Sequence, residues 1–135
     1  MFAADINLIA VLVAVVVKFA IGAVWYAPPV FGTRWQELIG QTPERMKERM
    51  GRAMVTDLLM SLVTAVVLAH ALRITGQQDL LGGAAAGFLA WLGFVAAPMR
   101  AAFVYEDRSI MLFTINVTYL LVSLVVMGAI LGAMS

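Results

Sequence analysis

The 135-residue chain has no cysteine, a single histidine and only four prolines, and charged side chains make up just 13% of it. Without cysteine there are no disulfides, no thiolate nucleophile and no iron–sulfur ligation. The lone His70 has no second metal-ligand candidate at ligand spacing and no triad partners, so it reads as a polar cap at one end of a helix. Charge at about half the roughly 25% usual for soluble domains excludes an ordinary water-soluble protein. A net charge of +1 gives no global field to attract nucleic acid, and nucleic-acid binding is not expected. The run Gly82-Gly83-Ala-Ala-Ala-Gly87 superficially resembles a phosphate-cradling loop, but no Lys or Ser/Thr follows it, and packing explains it better. Neither a cofactor nor an enzymatic activity is expected.

Apolar residues are abundant, at 63% of the chain, with a mean hydropathy of +0.96. A hydrocarbon core about 30 Å thick takes roughly 20 helical residues, so there is room for four spans and short connections. The expected fold is an all-α membrane protein with a single domain over residues 1–135: four transmembrane helices in a bundle, with a short amphipathic helical connection between the first and second. The spans fall at about 6–28, 52–73, 80–99 and 109–133. The beginning of the chain does not read as a cleavable signal, because Asp5 precedes any basic residue and Lys18 interrupts the apolar run.

Basic residues set the expected orientation. Arg34, Arg45, Lys47, Arg49 and Arg52 follow the first span and Arg100 and Arg108 the third, against Arg73 alone on the other side. The positive-inside rule then places both termini outside the cytoplasm of a bacterial inner membrane. Arg45, Lys47, Arg49 and Arg52 serve as orientation signal and solvated face, and also suit anionic lipid headgroups.

Local signals mark the boundaries. Trp25 and Tyr26 read as interfacial anchors, and Pro28-Pro29 as a stop. Thr33 with Gln36 fits a capping box, and Gly40 a terminator. Thr42 caps a following helix with Pro43 at its first position, supported by Glu44–Lys47 and Glu48–Arg52 pairs and running through Gly51 into the second span. Asp79 caps the third span and Pro98 ends it; Ser109 caps the fourth. Gly82, Ala86, Ala90, Gly93 and Ala97 share a face of the third span that permits close helix contact, including contact with a second copy in a homo-oligomer.

Ionisable side chains within a bilayer mark functional candidates. Lys18 lies ten residues before Pro28, too deep to snorkel comfortably, and Asp57 about five residues into the second span. By helical phase Asn7, Lys18, Gly22 and Trp25 share one face; so do Asp57, Ser61 and Thr64, and Asn116, Tyr119 and Ser123. A bundle turns such stripes inward, because lipid cannot satisfy them. The candidate binding residues are therefore Asn7, Lys18, Trp25, Asp57, Asn116 and Tyr119, with no metal ligands. Lys18 and Asp57 read either as an ion pair that fixes helix register, with Asn116 on a backbone carbonyl, or as part of a cytoplasm-accessible pocket for an ion, proton or small polar solute. The corresponding functions are a small-solute or ion transporter or channel subunit, and a non-transporting accessory or assembly subunit of a larger membrane complex.

Asn7, then Gly22-Ala-Val-Trp25-Tyr26-Ala-Pro28, Phe31-Gly32 and Trp35 form a distinctive opening. Trp91-Leu-Gly93-Phe94-Val-Ala-Ala-Pro98, Asn116-Val-Thr-Tyr119 and Met127-Gly-Ala-Ile130 continue it. Together they resemble the domain-of-unknown-function 1761 family of small bacterial membrane proteins, over almost the whole chain. The resemblance implies a four-helix integral membrane protein and carries no established activity. Asn7, Trp25, Pro28, Trp35, Pro98, Asn116 and Tyr119 belong to the shared pattern, whereas Lys18 and Asp57 do not. A function common to the family is therefore expected to use Asn7, Trp25, Asn116 and Tyr119.

Overall fold

In the computed structural model, which describes residues 6–135, the regular elements are all helical. Helix α1 (Leu8–Trp25) starts where the Asn7 side chain accepts hydrogen bonds from the Ile9 and Ala10 amides at 3.0 and 3.2 Å. It stops at Trp25, short of Pro28, and the chain turns through a π-type segment, Pro28–Gly32, closed by the Gly32 amide on the Ala27 carbonyl at 2.9 Å. Gly32 is buried, and a Cβ there would strike the Tyr26 and Ala27 backbone. Helix α2 (Thr33–Ile39) follows. Its expected capping box does not form. Thr33 lies inside the helix and Gly32 before it is already helical, so no extended residue stands at the cap position; the Thr33 hydroxyl donates to the Pro28 carbonyl at 3.3 Å. Gly40, at φ +70°, ends α2 in the left-handed region.

Helix α3 (Pro43–Ile74) begins at Thr42, whose hydroxyl accepts from the Arg45 amide at 3.2 Å, and runs unbroken through Gly51 for 32 residues, about 48 Å. Neither Glu44–Lys47 nor Glu48–Arg52 closes to ion-pair distance. Exposed pairs gain too little Coulomb energy in water to hold two long side chains in one geometry. Helix α4 (Leu80–Trp91) is capped by Asp79, which accepts from the Gly82 amide at 2.6 Å. Contrary to expectation, Pro98 does not end this stretch. A π-type turn over Leu92–Ala96 widens the helix, and Pro98 falls in the first turn of α5 (Ala97–Tyr105), where a residue without an amide hydrogen is tolerated. Helix α6 (Ile110–Ala133) starts on the Ser109 hydroxyl. Among the described residues four stretches are long and apolar enough to cross a membrane: Leu8–Trp25, Pro43–Thr75, Leu80–Tyr105 and Ile110–Ala133.

Helix α6 packs against α1, α3 and α4. Two contacts show that α1 runs antiparallel to α6: Asn7 Nδ2 donates to the Met134 carbonyl at 2.7 Å, and Trp25 Nε1 to that of Ile115 at 3.0 Å. Ala14, Ala65 and Met127 are fully buried between α1, α3 and α6. On the other side of α6, a Cβ at Gly83 would meet the Gly128 carbonyl, and one at Gly128 the Gly83 carbonyl. Gly87 faces the Leu124 backbone, and Gly132 that of Asp79, in the same way. The backbones thus touch where side chains would normally stand between them. The small-residue face expected from Gly82 to Ala97 is displaced. Gly83 and Gly87 make the closest contacts, within the chain, with Ala86 partly buried against the core beside them, while Gly93 has open space around it. The π-type turn adds a residue to one turn, shifts the phase beyond Trp91, and takes Gly93 and Ala97 away from α6.

Candidate functional site

Lys18 is the only basic side chain buried among the described residues, at 6% exposure. Helix α1 holds it between α3 and α6. Its Nζ lies 3.3 Å from Asp57 Oδ1, donates to the Tyr119 hydroxyl at 3.1 Å, and sits 5.2 Å from the Tyr119 ring centroid. Carboxylate, hydroxyl and ring quadrupole together replace the water that an ammonium loses on burial. Gly22, one turn further along α1, leaves the space that the Tyr119 hydroxyl fills: a Cβ there would stand 3.0 Å from it.

The pair is asymmetric. Lys18 has a side-chain exposure of 7%, whereas Asp57 is 49% exposed. Asp57 borders an open groove of ≈ 430 Å³ along α3, together with Arg49, Arg52, Thr56 and Met60. Its carboxylate therefore joins a buried cation to a face the chain leaves uncovered.

Above the pair, towards α2, stands an aromatic layer. The Tyr26 hydroxyl donates to Asn116 Oδ1 at 2.8 Å. The Tyr26 ring meets Trp35 of α2 edge-on at 5.0 Å and Tyr119 at 5.3 Å. Trp25 packs against Phe31 at 5.1 Å and Tyr119 at 6.4 Å while its indole donates to Ile115. The rings cover one end of the Lys18 site and tie α2 to it.

Of the six residues expected in the site, five meet: Lys18, Trp25, Asp57, Asn116 and Tyr119. Asn7 does not. Eleven residues separate it from Lys18, about 16 Å along the helix, and it caps α1 and binds the end of α6 instead. Shared helical phase put it on the right face but at the wrong level. It borders a separate small cleft of ≈ 90 Å³ with Leu72, Arg73 and Gln78. His70 also lies apart, its Nδ1 2.8 Å from the Val66 carbonyl. Asn116 bonds the Tyr26 hydroxyl rather than a backbone carbonyl, and Tyr26, read from sequence as an interfacial anchor, is a member of the site. The signal was there: Tyr26 lies four residues after Gly22, hence on the Lys18 stripe. Among the described residues no three His, Asp or Glu side chains gather as a metal would require.

The arrangement defines a class: a small protein whose described residues form only helices, four of them apolar enough to span a membrane, with a buried lysine, paired to a half-exposed aspartate, between three of them. The chain belongs to the family described as Protein of unknown function (DUF1761), whose profile matches residues 9–132. The search of curated proteins and that of solved structures each gave no match.

Proposed function

We propose that the protein is a four-span bundle in the bacterial inner membrane, with both termini outside, and that its Lys18–Asp57–Tyr119 cluster binds a small polar solute or ion entering from the cytoplasmic side as part of a transporter or channel subunit. One observation carries this reading: the carboxylate paired to the buried Lys18 is half-exposed on an open groove. A pair serving register alone has no need of an open carboxylate. The orientation rests on the seven basic residues that flank the site side of the spans.

Below the cluster, Ala14, Ala65, Met127 and Leu131 close the interior. Passage across the membrane therefore needs either a movement of α1 against α3 and α6 or a homo-oligomer that completes the path. Arg49 and Arg52 at the groove, with Arg45 and Lys47 beyond, would attract anionic headgroups or an anionic solute to its mouth. The reading invokes no catalytic step. A second reading, an accessory subunit of a larger complex, is favoured by the stretch Leu80–Tyr105, in whose apolar 18-residue window only 11% of the residues are buried within the chain.

Two measurements test this. Native mass spectrometry of the gently solubilised protein should show a discrete species carrying a small molecule that Asp57→Asn and Asn116→Ala each release; a bare monomer throughout would turn the search to a partner complex. A reporter that is active only outside the cytoplasm, fused after Ser135, should be active. Silence of that fusion, with activity of one inserted at Gly40, would reverse the orientation and the side from which the solute arrives.

A further inference from the structure

The hydroxyls of Ser61 and Ser123 are fully buried, at 1% and 0% residue exposure, and neither has a partner among the described residues. Local back-bonding is the usual remedy for a helical hydroxyl, and this chain uses it widely. Thr56, Thr64, Thr75 and Thr114 each donate to the carbonyl four residues earlier at 2.7–2.9 Å. The two serines do not, although a buried hydroxyl without a partner costs about 1–3 kcal/mol.

Their register explains where they sit. Helices α3 and α6 both run antiparallel to α1, and Lys18, Asp57 and Tyr119 meet at one level. Four residues further from α2, about 6 Å along each axis, the corresponding positions are Ala14 on α1, Ser61 on α3 and Ser123 on α6. Ala14 is fully buried and contributes only a methyl group. One further turn brings Ala65 and Met127, both at 0%, and the polar stack ends. The level of the two serines is thus roofed by an ammonium and floored by apolar side chains. Lys18 Nζ carries three N–H donors, and among the described residues two acceptors engage it, Asp57 Oδ1 and the Tyr119 hydroxyl. One N–H and two hydroxyls therefore remain unspent on adjacent turns.

We infer that Ser61, Ser123 and the third N–H of Lys18 hold one internal water molecule, which accepts from the ammonium and bonds both serine hydroxyls. Three partners suit a buried water, which ordinarily makes two to four hydrogen bonds. A cation is disfavoured beside the ammonium, and an anion by the nearby carboxylate, which already leaves the cluster neutral. The water extends the hydrated part of the site one turn beyond Lys18 and solvates the ammonium on the side away from Asp57. It requires no transported solute, so it stands or falls separately from the function proposed above.

The test is a cycle of unfolding equilibria in detergent for wild type, Ser61→Ala, Ser123→Ala and the double variant. A shared water predicts that each single change lowers the folding constant about five-fold, and that the double variant loses little more than either alone, because one deletion already frees the water. Unchanged or increased stability in the singles would overturn the inference by showing dry, orphaned hydroxyls, and additive losses would overturn it by showing two independent bonds. X-ray radiolysis in ¹⁸O-labelled water supplies a readout independent of folding. Met127 and Tyr119, 0% and 8% exposed, should take up label from the trapped water, and absence of label at both would refute it. Stabilisation by chloride that vanishes in Ser61→Ala would replace the water with a halide and likewise overturn the assignment.

Discussion

Gly83→Leu is expected to separate α4 from α6, lowering stability by more than about 3 kcal/mol, the upper end of ordinary overpacking costs. A side chain at this position points at the Gly128 carbonyl rather than at another side chain. A flexible neighbour can rotate aside, but a helix backbone moves only as a body. Accommodation would push apart the two most intimately packed helices and weaken the Trp91 indole bond to the Val117 carbonyl, 2.8 Å long. Gly128→Leu should behave alike, since its Cβ would meet Gly83. Gly51 and Gly93 provide the controls, with nothing within 4 Å of an added Cβ. Alanine at either should be neutral or stabilising by up to about 1 kcal/mol through helix propensity. Thermal unfolding in one detergent, with protease resistance as a second readout, compares all four. If Gly83→Leu melts with the wild type, α4 and α6 are not in backbone contact. Loss of a native oligomer with the subunit fold intact would instead assign the glycine face to a contact between copies.

The glycines show what periodicity can and cannot convey. A stripe of small residues in the third apolar stretch was legible, as was its use for close packing. Its register was not: the closest contacts fall on Gly83 and Gly87 rather than Gly82 and Ala86, and beyond Trp91 five residues of π-type turn at Leu92–Ala96 shift the phase, with no residue in that run to announce a widened turn. Caps were read more faithfully: Thr42, Asp79 and Ser109 all accept from the first turns of their helices, because a cap depends on neighbours two or three residues away. Thr33 had the same local signal and failed, since the π-type segment before it delivers the chain already helical and leaves no extended cap residue. In the candidate site, Lys18 and Asp57 were legible as a pair because burying one charge demands another within reach. Asn7 was misplaced because helical phase repeats along the whole helix and says nothing of level. Tyr26 was missed because an aromatic at a helix end has two equally ordinary uses, as anchor and as hydrogen-bond donor.

Asp57→Asn is expected to destabilise the protein more than Lys18→Met, although both break one ion pair. Removing a partner from a buried pair costs about 3–5 kcal/mol when the remaining charge stays in the interior. In Asp57→Asn that charge is the Lys18 ammonium, 7% exposed, left with the Tyr119 hydroxyl and ring. An amide oxygen at residue 57 still accepts a hydrogen bond, so the loss should fall towards the lower end of that range. In Lys18→Met the remaining charge is a carboxylate already 49% exposed, which solvent at the groove can hydrate; that loss should stay near the 0–1 kcal/mol typical of exposed pairs. The double variant Lys18→Met with Asp57→Asn should recover most of what Asp57→Asn loses, since no ammonium remains to be stranded. Unfolding of the four proteins gives the coupling directly. Equal losses in the two singles would mean that Asp57 is as desolvated as Lys18, and the open groove on which the binding proposal rests would be closed in solution. The predicted inequality would instead show that the carboxylate faces solvent while it holds the lysine, as a site entered from one side requires.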